Sequence, residues 1–303
     1  MLSVLIPVYN FDVQELVKTL YVQLRESGIP FEILCYDDCS SDTIPKIRNQ
    51  SISSIESVKY KELPANLGRS KIRNLLGSDA NYPYLLFMDC DSKILSPGYI
   101  RNYLNVCKEN LVVFGGRTYH LEPPPNDTYF RWYYGIHKEQ KTALERQQNP
   151  YHSFMSNNFV IPKALFLSIK FEENINEYGH EDTLFGYELF QKHILIKHID
   201  NPLEHIGLEP AGIFLQKSRQ AINCLHFLIN NKYKDDTAFY QSVTLLRYYI
   251  LARKLRLGGL LRLSYNIFRS QIEKNLLSVK PSLVLFDFYK LGYLLSVESK
   301  HDL

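Results

Sequence analysis

The sequence predicts an α/β protein in which a mostly parallel sheet is flanked by helices and followed by a helical C-terminal region. Two observations carry this prediction. Short apolar runs, which are typical of buried strands, alternate with segments of helical apolar spacing over the first part of the chain. After residue 242 the pattern changes to Leu, Tyr and Arg at helical spacing. Alternating strands and helices favour a doubly wound sheet, which binds ligands beyond the carboxyl ends of its strands.

The N-terminal elements follow one another as a βαβ unit and its continuation. Gly28 and Pro30 break the first helix before the second strand. Ser41, Asp42 or Thr43 offers an N-cap for the second helix, in whose first turn Pro45 is tolerated. The predicted elements are, in order, a strand at 3–7, a helix at 13–27, a strand at 31–36, a helix towards 48, a strand at 57–62, a helix at 69–76, and strands at 84–88 and 111–114.

Composition excludes several classes of protein. The 303 residues, 45% of them hydrophobic, suffice for one large α/β domain with an appendage, or for two domains. A formal charge of +3 and the lack of a nucleic-acid-binding motif argue against a nucleic-acid partner. The five cysteines form no C-x-x-C pair, which argues against a zinc site or a disulfide framework. With no signal-peptide pattern and no apolar stretch of membrane-spanning length, we expect a cytoplasmic protein.

The strand at 84–88 ends in two carboxylates, Asp89 and Asp91. Residues i and i+2 of an extended segment point to the same side. The pair can therefore hold one Mg²⁺ or Mn²⁺ with its phosphate ligands at the end of a buried strand. Two solvated turn aspartates are the alternative, because a chain of this length contains about one Asp-x-Asp by chance.

Five motifs resemble, in content and order, those of family 2 glycosyltransferases with the GT-A fold. They lie at 3–10 (SVLIPVYN), 37–42 (DDCSSD), 66–68 together with 73–74 (NLG and RN), 89–91 (DCD) and 181–182 (ED). The resemblance covers residues 1 to about 210. It implies an inverting enzyme that moves a sugar from a nucleotide-diphosphate donor to an acceptor hydroxyl, in the assembly of a surface polysaccharide or glycoconjugate.

The resemblance assigns the first motifs to the donor nucleotide, usually a uridine nucleotide. Asp38 is similar to the acid that hydrogen-bonds the base, in a turn where the family often has glycine in place of Cys39. Arg73 resembles the basic residue that helps to hold the diphosphate. Turn formation and helix capping are alternative roles for the aspartates at 37–42. The residues assigned to the nucleotide are Pro7, Tyr9, Asn10, Asp38, Asn66, Arg73, Asp89 and Asp91.

The resemblance also implies a divalent metal, Mn²⁺ or Mg²⁺. Asp91 is similar to the principal ligand, Asp89 acts on the ribose or through water, and His205 resembles a histidine that some members add to the metal shell. Such a cation offsets the negative charge that accumulates on a diphosphate leaving group. A structural role is the alternative for His205.

The acidic pair Glu181 and Asp182 resembles the motif that supplies the general base, with Asp182 as the base itself. The alternative is an acid pair that the helix dipole favours at a helix N-terminus, and both roles are compatible. Asn157, Asn158, Gly116 and Glu181 are the candidates for contacts with substrate, the first three near the donor sugar.

We expect a catalytic domain at 1–215, with a nucleotide-binding half over about 1–110 and an acceptor half over about 111–215, and a helical region at 216–303. Between residues 241 and 280, eight basic residues accompany one acid, Glu273. These basic amphipathic helices fit either peripheral binding to the inner face of the cytoplasmic membrane or packing on the catalytic domain.

The expected partners are a UDP-linked sugar donor and a carbohydrate or lipid-linked carbohydrate acceptor. Two other functions stay open. A sugar nucleotidyltransferase shares the nucleotide-binding sheet, although it needs a Gly-rich phosphate loop that the segment 7–11 lacks. A non-catalytic glycan-binding subunit would retain the fold without the chemistry.

Overall fold

The computed structural model describes residues 1–125, 127–174 and 179–301, the last three of these without side chains. The chain divides into two compact units. The first comprises 1–120, 139–173 and 181–207, and the second takes the described residues of 121–138, 174–180 and 208–303. The second unit therefore takes 121–138, the described residues of 174–180 and 208–215, all of which the prediction placed in the acceptor half of the catalytic domain.

The first unit contains a seven-stranded sheet with strand order β3-β2-β1-β4-β8-β6-β9 and a three-stranded sheet with order β5-β10-β7. In the larger sheet, β8 runs antiparallel to both β4 and β6, and the other neighbours are parallel. The strands are β1 (Leu2–Val8), β2 (Phe31–Asp37), β3 (Val58–Glu62), β4 (Tyr84–Met88), β5 (Ser92–Ile94), β6 (Leu111–Phe114), β7 (Arg117–Thr118), β8 (Asn158–Pro162), β9 (Leu195–His198) and β10 (Leu203–His205).

The helices flank the large sheet in the first unit and dominate the second unit. Asp42 caps the second helix as predicted, because its side chain accepts a hydrogen bond from the backbone N–H of Ile44 at 3.1 Å. The helices are α1 (Gln14–Ser27), α2 (Thr43–Gln50), α3 (Arg69–Asp79), α4 (Tyr99–Leu104), α5 (Tyr129–Tyr134), α6 (Ala143–Gln147), α7 (Lys163–Ile169), α8 (Glu181–Gln191), α9 (Ala211–Asn230), α10 (Thr237–Ser242), α11 (Thr244–Lys254), α12 (Gly258–Leu276) and α13 (Leu283–His301).

Both faces of the large sheet are covered by apolar side chains. Val4 and Ile6 of β1 belong to one core cluster, whereas Leu5 belongs to a second cluster on the opposite face. Because successive residues of a strand point to opposite faces, a strand covered on both sides is apolar at every position. The continuous apolar runs at 3–7 and 84–88 therefore correspond to central strands of the sheet, and the predicted fold class is confirmed.

The second unit is helical. Phe130 of α5 packs against Phe214 of α9 and Phe286 of α13, with ring centroids 5.3 and 5.0 Å apart. These aromatic contacts explain why 121–138 belongs with the C-terminal helices. No helix among the described residues is long and apolar enough to cross a membrane.

Candidate active site

The loops after β1 and β2 are fixed to each other by Asn10. Its backbone N–H donates to Ser40 Oγ at 2.8 Å, and its side-chain Oδ1 accepts from the backbone N–H of Asp42 at 2.9 Å. Asn10 adopts a positive φ of 50°, a conformation that asparagine tolerates better than most residues. Pro7 lies within β1, and the side chain of Tyr9 is half exposed just beyond it. Three of the predicted nucleotide residues thus lie at one strand end.

Asp38 joins the end of β2 to the start of α3. Its two carboxylate oxygens accept hydrogen bonds from the backbone N–H groups of Leu67 at 2.7 Å and Gly68 at 3.0 Å. Asn66 Nδ2 donates to the backbone carbonyl of Asp38 at 2.9 Å, so these two predicted residues are in contact. Cys39, where the family often has glycine, adopts φ 59°, which is a glycine-like conformation. Cys39 therefore takes a backbone conformation that glycine adopts more readily than other residues.

Asp89 is held between two arginines. Its Oδ1 accepts from Arg73 at 2.6 Å and its Oδ2 accepts from Arg117 at 3.3 Å. Arg117 also forms an ion pair with Glu139 at 3.3 Å, and Glu139 accepts a hydrogen bond from the hydroxyl of Tyr119. Arg73 is buried, contrary to the general tendency of helix arginines. Both oxygens of Asp89 are thus bound by arginines, whose positive charges disfavour a cation on the same carboxylate but leave lone pairs for a neutral hydroxyl.

Asp91 lies in a different environment, beside His205. Register in the small sheet places His205 opposite Ser92, and its Nε2 lies 3.0 Å from Asp91 Oδ2. Asp91 Oδ1 is shielded from solvent and has no hydrogen-bond partner among the described residues. Burial alone would raise the pKa of Asp91, but the opposing charge and hydrogen bond of His205, with the charges of Arg117 and Arg69, lower that pKa below its ordinary value. Asp91 is therefore ionised at neutral pH.

The pair Asp91 and His205 fits a divalent cation. An unpartnered buried carboxylate oxygen beside an imidazole provides the oxygen and nitrogen donors that Mn²⁺ accepts. Among the described residues, no group of three or more His, Cys, Asp or Glu side chains could hold a metal ion by itself. A cation here would therefore need further oxygen ligands, of the kind that a diphosphate provides.

The second acidic pair begins α8. Glu181 is buried and forms an ion pair with Arg69 at 2.8 Å. Burial alone would raise the pKa of Glu181, but the charges of Arg69 and Arg73 lower that pKa below its ordinary value. Asp182 accepts a hydrogen bond from Ser156, and its Oδ1 is shielded from solvent without a partner among the described residues. Burial, and then the charge of Glu181, raise the pKa of Asp182 to about 6, against the lowering effects of Arg73 and Ser156.

The segment before β8 connects the two acidic pairs. The backbone N–H of Asp89 donates to the carbonyl of Asn157 at 3.2 Å, and the preceding residue, Ser156, hydrogen-bonds Asp182. Asn157 is buried, and its Oδ1 has no partner among the described residues. Asn157 therefore retains a side-chain hydrogen-bonding group without a partner among the described residues, in the segment that contacts Asp89 and Asp182.

Asn158 is not supported as a substrate residue. Its Oδ1 accepts from the hydroxyls of Tyr99 and Tyr103, both at 2.6 Å. Its Nδ2 donates to the carbonyls of Gly116 at 2.8 Å and Asn201 at 3.0 Å. An asparagine side chain offers two donors and two acceptor sites, so these four bonds leave nothing for a sugar. Asn158 joins elements of the fold instead.

Gly116 also serves the fold. It adopts φ 95°, and a Cβ added there would lie 2.5 Å from the guanidinium of Arg146. Arg146 is buried and donates to the carbonyls of Gly115 and Ile199. Gly116 therefore allows close approach of an arginine rather than of the predicted sugar.

Three residues at the candidate site were not predicted from the sequence: Arg117, Glu139 and Ser156. Arg117 directly follows the glycine pair at the end of β6, and Ser156 directly precedes the predicted Asn157, so both positions carried a usable signal. Glu139 lies in a segment without a motif, and only the folded chain brings it to Arg117.

Comparisons with known proteins identify relatives of this chain. The family model described as "Glycosyl transferase family 2" matches residues 3–167. Chondroitin synthase of Escherichia coli is 24% identical over 245 residues, which are 70% of this chain and 35% of that protein. This chain spans 35% or less of the length of the curated relatives that it matches.

Solved structures share the fold. The mannosyltransferase PcManGT of Pyrobaculum calidifontis, in complex with GDP-Man and Mn²⁺, aligns with a TM-score of 0.54 at 12% identity over 99% of this chain and 87% of that chain. Residues 1–349 of S. aureus TarS in complex with UDP-GlcNAc align with a TM-score of 0.50 at 16% identity over 99% of this chain and 92% of that chain. The predicted GT-A fold is confirmed.

Proposed function

Because this chain belongs to glycosyl transferase family 2, we propose that it transfers a sugar from a nucleotide-diphosphate donor to an acceptor hydroxyl with inversion at the anomeric carbon. One observation carries the proposal. Two half-buried acids, Asp91 and Asp182, each keep a solvent-shielded carboxylate oxygen without a partner among the described residues, while the acid beside each is bound to arginine. An unpartnered buried carboxylate oxygen costs free energy unless a ligand uses it.

The nucleotide lies at the carboxyl ends of β1 and β2 in this proposal. Asn10, Asp38 and Asn66 shape that edge, with Pro7 and Tyr9 on the adjacent strand end. The backbone bonds that Asp38 already accepts hold its carboxylate rigidly, and each oxygen keeps lone pairs for a base N–H. Uridine is the proposed base. Because TarS is described with UDP-GlcNAc and PcManGT with GDP-Man, both nucleotides belong in a donor screen.

Asp91 and His205 would hold the cation, Mn²⁺ or Mg²⁺. When bound, the cation supplies Lewis-acid stabilisation of the charge that develops on the diphosphate. Asp89 acts on the ribose, and Arg73 and Arg117 keep its carboxylate in one orientation. The same two arginines contribute positive charge near the diphosphate, which stabilises the leaving group further.

Asp182 is the general base. Its Oδ1 removes the proton of the acceptor hydroxyl while the acceptor oxygen attacks the anomeric carbon. The attack comes from the side opposite the leaving diphosphate. A pKa of about 6 suits this task. At neutral pH the Asp182 carboxylate is mostly ionised, and it is still basic enough to accept a proton. Ser156 holds the other oxygen, so the unpartnered one is available to the acceptor.

The acceptor is a carbohydrate or a lipid-linked carbohydrate of a surface polysaccharide or glycoconjugate. Asn157 is the substrate residue that the geometry favours, because its unpartnered Oδ1 lies in the segment that joins both acids. Glu181 supports the base through its charge rather than by contact with substrate, since Arg69 already binds it.

The test is a donor screen with purified protein and Mn²⁺. We expect release of UDP from a UDP-linked sugar, stimulated by acceptor oligosaccharides and abolished by EDTA. Release of GDP from a GDP-linked sugar instead would overturn the base assignment alone. Formation of pyrophosphate from a sugar phosphate and a nucleoside triphosphate would contradict the proposal and favour a nucleotidyltransferase.

A further inference from the structure

The second unit presents an apolar helix face to solvent. In α12, Tyr265, Ile272 and Leu276 are buried and belong to the core cluster that includes α13. Leu260, Leu263 and Ile267 lie on the opposite side of the helix at spacings of three and four residues, and they are 57–61% exposed. A helix in a water-exposed position normally carries polar residues on that side.

The preceding helix has the same arrangement. In α11, Leu246, Tyr249 and Ala252 are buried. Tyr248 and Leu251 are exposed on the other side, and Leu255, which follows the helix, is exposed as well. Only residues 255–257 separate α11 from α12. We refer to these six exposed apolar residues, together with six basic residues of the segment 247–280, as the basic apolar face: Arg247, Tyr248, Leu251, Lys254, Leu255, Arg256, Leu260, Arg262, Leu263, Ile267, Lys274 and Lys280.

The cations of this face have no acidic partner among the residues that the structure describes. Of the eight basic residues between 241 and 280, Arg253 pairs with Glu298 and Arg269 with Glu273. The others form no ion pair with any described residue; they are Arg247, Lys254, Arg256, Arg262, Lys274 and Lys280. A partner of this face must therefore offer both apolar volume and negative charge.

We propose that the basic apolar face lies in the interface of an anionic lipid membrane. In-plane amphipathic helices insert exposed Leu and Ile side chains at the boundary of head groups and acyl chains, while flanking Lys and Arg bind anionic head groups. A second copy of this chain is disfavoured as the occupant, because an isologous contact would bring the same unpaired cations together. This proposal does not depend on the catalytic assignment, which rests on other residues.

The experiment is co-sedimentation of the full chain with vesicles of two parts phosphatidylcholine to one part phosphatidylglycerol. We expect binding that weakens as salt increases and that is much poorer on pure phosphatidylcholine vesicles. The double variant L263E and I267E should bind about tenfold more weakly, because it places charge where apolar side chains insert.

A matched control uses two exposed leucines outside the face, Leu121 and Leu144, which are 87% and 77% exposed. The variant L121E with L144E carries the same added charge and should bind vesicles like the unchanged protein. If both variants lost vesicle binding equally, the proposal would be overturned, because the added negative charge alone would then explain the loss of binding. No binding to anionic vesicles, or a dimer that L263E with I267E dissociates, would also overturn it.

Discussion

Two regions of the first unit each carry an acidic pair, and the contacts around the two pairs have the same arrangement. At the end of β4, Asp89 is bound by arginines while Asp91 keeps an unpartnered oxygen. At the start of α8, Glu181 is bound by arginine while Asp182 keeps an unpartnered oxygen. In each region, one acid is paired with arginine, and its neighbour has a carboxylate oxygen without a partner among the described residues.

Asp91 and Asp182 differ in their electrostatics. His205 lies against Asp91 and lowers its pKa, whereas burial and the charge of Glu181 raise the pKa of Asp182 to about 6. A permanently ionised carboxylate suits cation binding, and one that titrates near neutrality suits proton transfer. In the proposed assignment, the same residue type takes two roles because the neighbouring charge has opposite sign.

The largest expected effect is on turnover in D182N. Asparagine keeps the shape of the side chain but cannot accept the proton of the acceptor hydroxyl, so we expect turnover to fall by about 10²–10⁴-fold. Affinity for UDP in the presence of Mn²⁺ should be unchanged, as measured by titration calorimetry. Full transfer activity in D182N would contradict the assignment of the base.

The same substitution should make the protein more stable at alkaline pH. The pKa of Asp182 is about 6 in the folded chain against an ordinary value of 3.8, so the cost of its ionisation in folding free energy builds up between about pH 4 and 6 and is fully present above pH 6. We expect D182N to gain roughly 2–3 kcal/mol at pH 8, a gain that shrinks as the pH falls through 6 towards 4.

Denaturant unfolding at pH 8 and pH 5 measures this difference. E181Q is the matched control, since it removes a carboxylate whose pKa is lowered by arginine and should destabilise the protein at pH 8. Loss of stability in both variants would show that Asp182, like Glu181, serves the fold.

A smaller effect, on nucleotide affinity, is expected from a substitution at Gly207, which lies against Asp91. A Cβ added at Gly207 would lie 2.6 Å from both the Cβ and the Oδ2 of Asp91, so G207A must displace that carboxylate. We expect about a tenfold loss of Mn²⁺-dependent UDP affinity, the scale of a perturbed metal ligand. G212A is the control, because its added Cβ meets no atom within 4 Å. Equal Mn²⁺-dependent UDP affinity in G207A and G212A would show that Asp91 does not take part in metal binding.

The smallest effect is a shift in the pH profile. Turnover at saturating substrate should rise with pH and level off above about 6, where Asp182 is ionised. The charge of Glu181 contributes to the raised pKa, so E181Q should move the inflection to lower pH. An inflection that stays in place in E181Q would show that another group titrates.

Much of the first unit could be predicted from local sequence. The run at 84–88 is a strand with the same bounds in the structure, and 31–36 differs by one residue from β2. These strands are covered on both faces, which makes their apolar runs continuous and easy to recognise. The antiparallel direction of β8 and the small sheet could not be predicted, because pairing between distant segments leaves no local pattern.

The candidate site shows the same limit. Asp89, Asp91 and Asp182 follow from motifs, whereas the bonds of Arg117 and Glu139 to each other depend on tertiary contacts. Asn157 and Asn158 are adjacent and chemically identical in sequence. Only the fold distinguishes them, since β8 begins at Asn158 and directs its side chain to buried tyrosines.

The most direct test of the central claim compares Asp91 and Asp182 in one titration experiment. UDP is titrated into the unchanged protein, D91N and D182N, each with Mn²⁺ and with EDTA. We predict Mn²⁺-dependent binding in the unchanged protein and in D182N, and its loss in D91N. Mn²⁺-dependent binding that persists in D91N, or disappears in D182N, would contradict the division of roles between Asp91 and Asp182.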